Sequence, residues 1–291
     1  MASILDDFKS TFRDSSKILQ QIIVITCIVF VVNNLFLNLA GIDADAWFAL
    51  PGSFLKSILF IWSYVTYMFL HAGIGHILFN MLILYWFGRL LVEYLGSRKF
   101  TTVYFVGGIL GGLFYVISFN VFQLLGTPMG YSLIGASAGV MSVMVATAVL
   151  LPDYEMRLFL FGNVKIKYIA LVLFVLNTLL DFSFNTGGKL AHLGGALFGL
   201  LYITQLRKGV DFSINFYKLL DFLKRPFASK PKMRVVRNEE PKTRSAKRKQ
   251  GMTAQDRQRR VDEILDKIGK SGYDSLTKEE KDFLFQESNK N

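Results

Sequence analysis

The sequence predicts an all-α membrane protein: a bundle of six spanning helices followed by a small C-terminal helical hairpin. Three observations carry that prediction. Long uncharged apolar runs fill residues 18–205, and six of them reach or approach the roughly 20 residues that a helix needs to cross a bilayer. Charge is segregated, with 22 of the 33 Lys and Arg and 13 of the 22 Asp and Glu in 207–291, so the tail carries +9 of the net +11. The body before it is therefore almost neutral, although 52% of the 291 residues are hydrophobic, above the roughly 45–50% of a soluble domain. The single cysteine, Cys27, lies inside an apolar run, which excludes an internal disulfide framework and a thiolate metal cluster.

Residues 1–17 hold Asp6, Asp7, Lys9, Arg13, Asp14 and Lys17, too much charge for a signal peptide. Ile4, Leu5, Phe8 and Phe12 recur at helical spacing opposite those charges, so this segment is expected to lie on the membrane surface. The spans follow at 18–39, 76–95, 101–123, 136–151, 166–184 and 189–205, within a body bounded at about 206. The fourth and sixth are short and rich in small residues, which suits helices buried in the middle of a bundle. The connection 40–75 is long and apolar (Trp47, Phe48, Phe54, Leu55, Ile58 to Trp62), and is expected to lie in or dip into the outer interface. Lys and Arg cluster at the N-terminus, at 98–99, at 157–167 and in the tail, whereas the other connections hold only Lys56 and Lys189. By the positive-inside rule both termini face the cytoplasm, in a multi-pass protein of the cell inner (plasma) membrane.

Residues 207–252 are expected to form a basic linker, disordered and attracted to anionic lipid, with Lys and Arg densest from 224 to 260. A nucleic-acid partner is the rival explanation of such a run, but it adjoins a span and has hardly any aromatics for base stacking, so none is expected. In 253–291, Val261, Ile264, Leu265 and Ile268 keep helical spacing, and Thr277 with Glu280 forms a capping box ahead of Phe283 and Leu284. The result is a small cytoplasmic helical hairpin, too small to be an enzyme by itself.

Polar residues inside spans are costly and mark function. Three clusters stand out, and together they use all three histidines: HAGIGHILFN with His71, His76 and Asn80, GASAG with Ser137, and AHLGG with His192. A serine in a spanning helix often serves close packing or bonds its own backbone. The G-x-S-x-G of soluble hydrolases needs a preceding strand and a later acid and His; here the loop GTPMGYSLI precedes it and a helical membrane body follows, which excludes that fold. What remains is Ser137 at the N-terminal end of a helix, where free N–H groups and the dipole favour a developing oxyanion.

His192 is the candidate base. A structural hydrogen bond, a metal ligand or a proton relay would each explain a lone membrane histidine. Gly195 and Gly199 follow at i+3 and i+7, so that face can press against the small residues Gly135, Ala136, Ala138 and Gly139 and bring the imidazole to Ser137. His76 and Asn80 share one helical face and can aim at one anionic oxygen; without the serine, an interhelical clasp explains them equally well. No carboxylate or HExxH completes a ligand set with the histidines, so neither a metal nor any other cofactor is expected.

These three clusters, in this order across six spans with cytoplasmic termini, resemble the rhomboid family of intramembrane serine proteases, over roughly residues 18–205. The matching residues are His71, His76 and Asn80, the run Gly135 to Gly139, and Ala191, His192, Gly195 and Gly199; Glu93 with Leu95-Gly96-Ser97 also resembles the family. The resemblance implies a Ser–His dyad without an acid, with Ser137 as nucleophile and His192 as base. It further implies an oxyanion hole made by His76, Asn80 and the Ser137 N–H, with His71 as a structural neighbour. Its implied substrates are transmembrane proteins met within the lipid bilayer, entering between the second and fifth spans past Phe79, Trp86, Phe174 and Phe182. The sequence departs from the pattern at Met141, where many members place a Tyr that packs on the catalytic His, and in the first loop, which lacks a Trp-Arg pair. The C-terminal hairpin resembles an extension of some bacterial, Bacteroidetes-type rhomboids. Two other classes are weighed: a rhomboid-like binding protein, whose members typically lose the Ser or His that this chain keeps, and a transporter, for which neither internal repeats nor a lined ionisable path is visible.

Overall fold

In a bilayer every backbone polar group must bond within the protein, so uncharged runs of Leu, Ile, Val and Phe become helices. The computed structural model describes residues 17–37, 40–126, 132–158, 162–179, 186–224 and 253–288. Helix α1 (Ile18–Val31) continues as a π-helical segment, Val32–Leu37. The long connection after it holds α2 (Asp45–Phe48), strand β1 (Leu50–Pro51), α3 (Phe54–Leu59), α4 (Ser63–Thr66) and a 3-10 turn at Tyr67–Phe69. Next come α5 (Ile74–Leu95), α6 (Ser97–Leu124), β2 (Ser132–Leu133) and α7 (Ser137–Leu150). A hairpin of β3 (Glu155–Leu158) and β4 (Gly162–Lys165) leads into α8 (Ile166–Phe174), which also ends in a π-helical segment, Val175–Leu179. Helices α9 (Thr186–Arg207) and α10 (Phe212–Lys224) close this unit. A second unit contains α11 (Ala254–Ser271) and α12 (Lys278–Ser288).

Among the described residues the class is all-helical apart from two short two-stranded ladders. Each expected span falls on one of the helices α1, α5, α6, α7, α8 and α9. Among the described residues, and by length and composition alone, two of them, α5 and α6, are long and apolar enough to cross a membrane. The others are shorter or, in α9, diluted by glycine. Helix α6 starts four residues before its expected boundary, and the Thr101 and Thr102 hydroxyls donate to the Ser97 and Arg98 carbonyls (2.7 and 3.0 Å) within that extra turn. The N-terminal surface segment up to residue 16, the end of the fifth span with Phe182, and 225–252 of the basic linker lie outside the described residues. The first stretch of that linker is a helix, α10.

The centre of the bundle is α6, α7 and α9, and glycines set their spacing. A Cβ at Gly111 of α6 would stand 2.6 Å from Ala138 Cβ and 2.7 Å from the Ala191 carbonyl oxygen. Gly195 lies against the Ala138 carbonyl and Gly199 against that of Ser142, so α9 meets α7 backbone to backbone. Two buried hydroxyls of α7 are satisfied across to neighbouring helices: Ser142 Oγ donates to Val103 O (2.9 Å), and Thr147 Oγ1 lies within bonding distance of Val143 O (2.7 Å) and Phe87 O (3.1 Å).

The connection after α1 is tied down from two sides. Leu50 pairs with Leu133 and Pro51 with Ser132, and Asn120 Nδ2 donates to Gly52 O (3.0 Å). Trp47, Leu55, Leu59 and Ile61 remain exposed along it. On the β3–β4 side, Lys165 and Lys167 both reach Asp153 (3.0 and 2.9 Å), and these hydrogen bonds hold its carboxyl below the usual carboxylate range. In the second unit, Thr253 Oγ1 caps α11 by accepting from Asp256 N (3.3 Å). The expected capping box is formed by Thr277 N to Glu280 Oε2 (2.8 Å) and Glu280 N to Thr277 Oγ1 (3.3 Å).

Candidate active site

Ser137 is the first residue of α7, preceded by a turn that only glycine can make at its key position. Gly135 has φ +125°, and a Cβ there would stand 2.9 Å from His76 Cε1 and 3.6 Å from Ser137 Oγ. Two backbone bonds fix this turn. The Gly135 N–H donates to the Tyr67 carbonyl (2.9 Å), and the Ala136 N–H donates to His71 Nε2 (3.4 Å). His71 is buried at 2% exposure, its Nδ1 lies 3.4 Å from Phe69 O, and its ring meets His76 edge-on at 4.9 Å between centroids. Accepting at Nε2 and donating at Nδ1 describes one neutral tautomer, so His71 acts as a brace beneath the turn.

A cavity of about 480 Å³ opens at this end of the bundle, and Ser137, His192, His76, Asn80 and Met141 all line it. Phe79, Ile83, Ile134, Val140 and Leu176 form its apolar wall, and Asn177, Gly188 and Lys189 complete it with Gly75. No Asp or Glu is among these residues. His71 stands behind the cavity. Gly139 lies close to Met68 and the Tyr104 carbonyl, where a Cβ would be 2.8 and 2.9 Å away, and Gly195 and Gly199 make the α9 contact already described; these three glycines serve packing.

His192 is oriented by a group outside the three motifs. Its Nδ1 lies 3.1 Å from the Asn177 carbonyl oxygen, in the π-helical end of α8. A carbonyl only accepts, so Nδ1 carries the proton and Nε2 keeps the lone pair. The widened backbone of a π segment is a recurrent feature of functional sites. Asn80 Nδ2 donates to the His76 carbonyl (2.8 Å), which uses one of its two amide protons. The cavity thus gathers a hydroxyl at a helix N-terminus, an imidazole lone pair and polar N–H donors within apolar walls. That set is equipped for acyl transfer through a stabilised oxyanion.

The structure therefore brings together Ser137, His192, His76, Asn80 and Met141 in one cavity, with Gly135 in the turn before the serine, and puts His71, Gly139, Gly195 and Gly199 in support. Asn177 and Tyr67 did not emerge from the motifs. Asn177 carried a signal, a polar residue within the apolar run 166–184. Tyr67 acts through its backbone carbonyl, which no side-chain pattern announces.

Comparisons with known proteins agree with this geometry. The family model for the rhomboid domain matches residues 60–209, just over half of the chain, and a family of unknown function, DUF6576, matches 251–290. Presenilin-associated rhomboid-like protein A, mitochondrial, of Danio rerio is 32% identical over 142 residues, which are 46% of this chain and 35% of that protein. RHOMBOID-like protein 12, mitochondrial, of Arabidopsis thaliana is 29% identical over 157 residues, 50% of this chain and 46% of the relative. Rhomboid-like protease 3 of Toxoplasma gondii is 26% identical over 162 residues, 55% of this chain and 57% of the relative. The chain thus spans roughly a third to just over half the length of these relatives. With the motifs gathered in one cavity and the domain match running across them, the chain belongs to the rhomboid family.

Proposed function

We propose that this chain is an intramembrane serine endopeptidase that cleaves transmembrane proteins with a Ser137–His192 dyad. Ser137 Oγ attacks the substrate carbonyl carbon while its proton passes to His192 Nε2. The tetrahedral oxyanion is held by His76, Asn80 and the Ser137 N–H, each donor contributing about 2.7–4 kcal/mol by the scale of soluble enzymes. Collapse breaks the C–N bond, and the Nε2 proton goes to the leaving amine. Water then gives a proton to His192, attacks the acyl ester on Ser137, and releases the new carboxyl end as the proton returns to Ser137. The observation that carries this proposal is the shared cavity of Ser137 and His192, with Nδ1 committed to Asn177 O.

All six apolar helices cross the membrane in this proposal, the short α7 covered by its neighbours, and both termini face the cytoplasm of a cell membrane. Substrate enters between α5 and α8: Phe79 and Leu176 line the cavity and are 66% and 53% exposed. A crosslink between these helices stops cleavage; unchanged cleavage would sink the route.

The test is cleavage of a model single-span substrate by the reconstituted protein. Wild type cleaves it, and Ser137→Ala and His192→Ala abolish cleavage. Cleavage that survives Ser137→Ala refutes the assignment. Removal of 229–291 leaves the chemistry intact.

A further inference from the structure

Four residues separate the end of α9 from the start of α10, and one side of α10 is fixed to the bundle. Asp211 accepts from the Ser213 N–H (2.8 Å) and from Tyr202 OH (3.2 Å) and pairs with Lys99 Nζ at 3.6 Å. The Arg98 guanidinium stands 4.4 Å over the Tyr217 ring. Both Arg98 and Lys99 belong to the first turn of α6, so α10 lies at the end of the bundle away from Ser137.

The rest of α10 is uncovered in an unusual way. Phe212, Phe216, Leu219, Leu220 and Leu223 recur at spacings of 4, 3, 1 and 3 and so share one face. On and beside it, Leu219, Phe222 and Leu223 are 55, 63 and 55% exposed. Lys218 and Asp221 point away from that stripe. Cations outnumber acids around it: Arg98, Lys99, Arg207, Lys208, Lys218 and Lys224 against Asp211 and Asp221. The basic run 225–252 follows directly.

We propose that α10 is an interfacial helix, which seats Leu219 and Leu223 in the leaflet at this end of the bundle while its cations meet anionic phospholipid headgroups. The tether decides the occupant. The four residues 208–211 reach at most about 14 Å, so α10 cannot leave the level at which the last apolar helix meets the headgroups. A helix with an apolar stripe and a cationic flank at that depth matches the chemistry of an acidic bilayer surface. This inference rests on residence in a membrane, not on the catalytic proposal, and its test requires no cleavage.

The full-length protein with Cys27→Ser and a single nitrobenzoxadiazole label at Leu223→Cys or Lys218→Cys is reconstituted in phosphatidylcholine vesicles with or without phosphatidylglycerol. At 223 the probe is quenched by doxyl-labelled lipid and shielded from iodide, at 218 iodide reaches it, and lipid quenching at 223 strengthens at least twofold with the acidic lipid. Adding Leu219→Glu opens position 223 to iodide. Equal iodide access at 218 and 223 overturns the seating, as does shielding that persists in detergent and grows with protein concentration, which would mean a second copy covers the face. Lipid quenching equal in both vesicles overturns the electrostatic part.

Discussion

His192 Nδ1 lies 3.1 Å from the main-chain carbonyl oxygen of Asn177, a neutral acceptor at the place where an Asp stands in a three-residue triad. The carbonyl selects the tautomer without adding a buried charge, which suits a cavity with no acid in its lining. Replacing His192 by Nδ-methylhistidine keeps Nε2 and removes this bond. A neutral hydrogen bond is worth about 0.5–1.5 kcal/mol, so kcat falls by up to about tenfold with KM unchanged. Steady-state kinetics on a spanning substrate check it, and full kcat would show that the carbonyl does not orient the ring.

The turn before Ser137 depends on His71. His71→Ala leaves the buried Ala136 N–H without its acceptor, at a cost of about 1–3 kcal/mol. Both the melting temperature and kcat drop, and His71→Gln, which restores an acceptor, recovers part of each. Wild-type melting and turnover in His71→Ala would remove the brace from the account.

Backbone contact between α9 and α7 makes Gly195 and Gly199 sensitive to any side chain. Gly195→Val drives a branched side chain into the Ala138 carbonyl, and overpacking of this kind costs about 1–3 kcal/mol or more. Thermal unfolding in detergent shows a loss of several degrees and lower activity. By contrast, Gly73 has open space where a Cβ would go, so Gly73→Ala meets no clash and carries only the modest cost of an alanine at the N-cap of α5, less than Gly195→Val.

In the second unit, hydrogen bonds from Lys267 and from the Thr277 N–H hold the Glu280 carboxyl below its usual range. A depressed folded value stabilises the hairpin above the unfolded pKa of about 4.3, and this contribution is lost as pH falls through the folded value. Circular dichroism of residues 251–291 between pH 7 and 2 shows that loss, and Glu280→Gln flattens it. An unchanged acid titration in the variant would contradict the pairing.

Much of this molecule was legible from its sequence because two signals are strong in a membrane protein. Hydropathy located the helices, since the bilayer leaves the backbone no other arrangement, and the cost of polar groups in spans drew Ser137, His76, Asn80 and His192 out of an apolar background. The capping box at Thr277 and Glu280 formed as its spacing predicted. The remainder depends on backbone geometry or on averages. The Asn177 and Tyr67 carbonyls act without side chains, and the π-helical ends of α1 and α8 have no residue code. Helix α10 was hidden because thirteen amphipathic residues vanish within the mean polarity of 207–291. The two β ladders are two to four residues per strand, too short for alternation to register.

The dyad itself is tested most directly by covalent labelling. Purified wild-type protein is treated with a fluorophosphonate, digested, and the adduct is located by mass spectrometry. One adduct forms, on Ser137, absent in Ser137→Ala and strongly reduced in His192→Ala. An adduct on another residue, or labelling of Ser137 that is undiminished in His192→Ala, would contradict it.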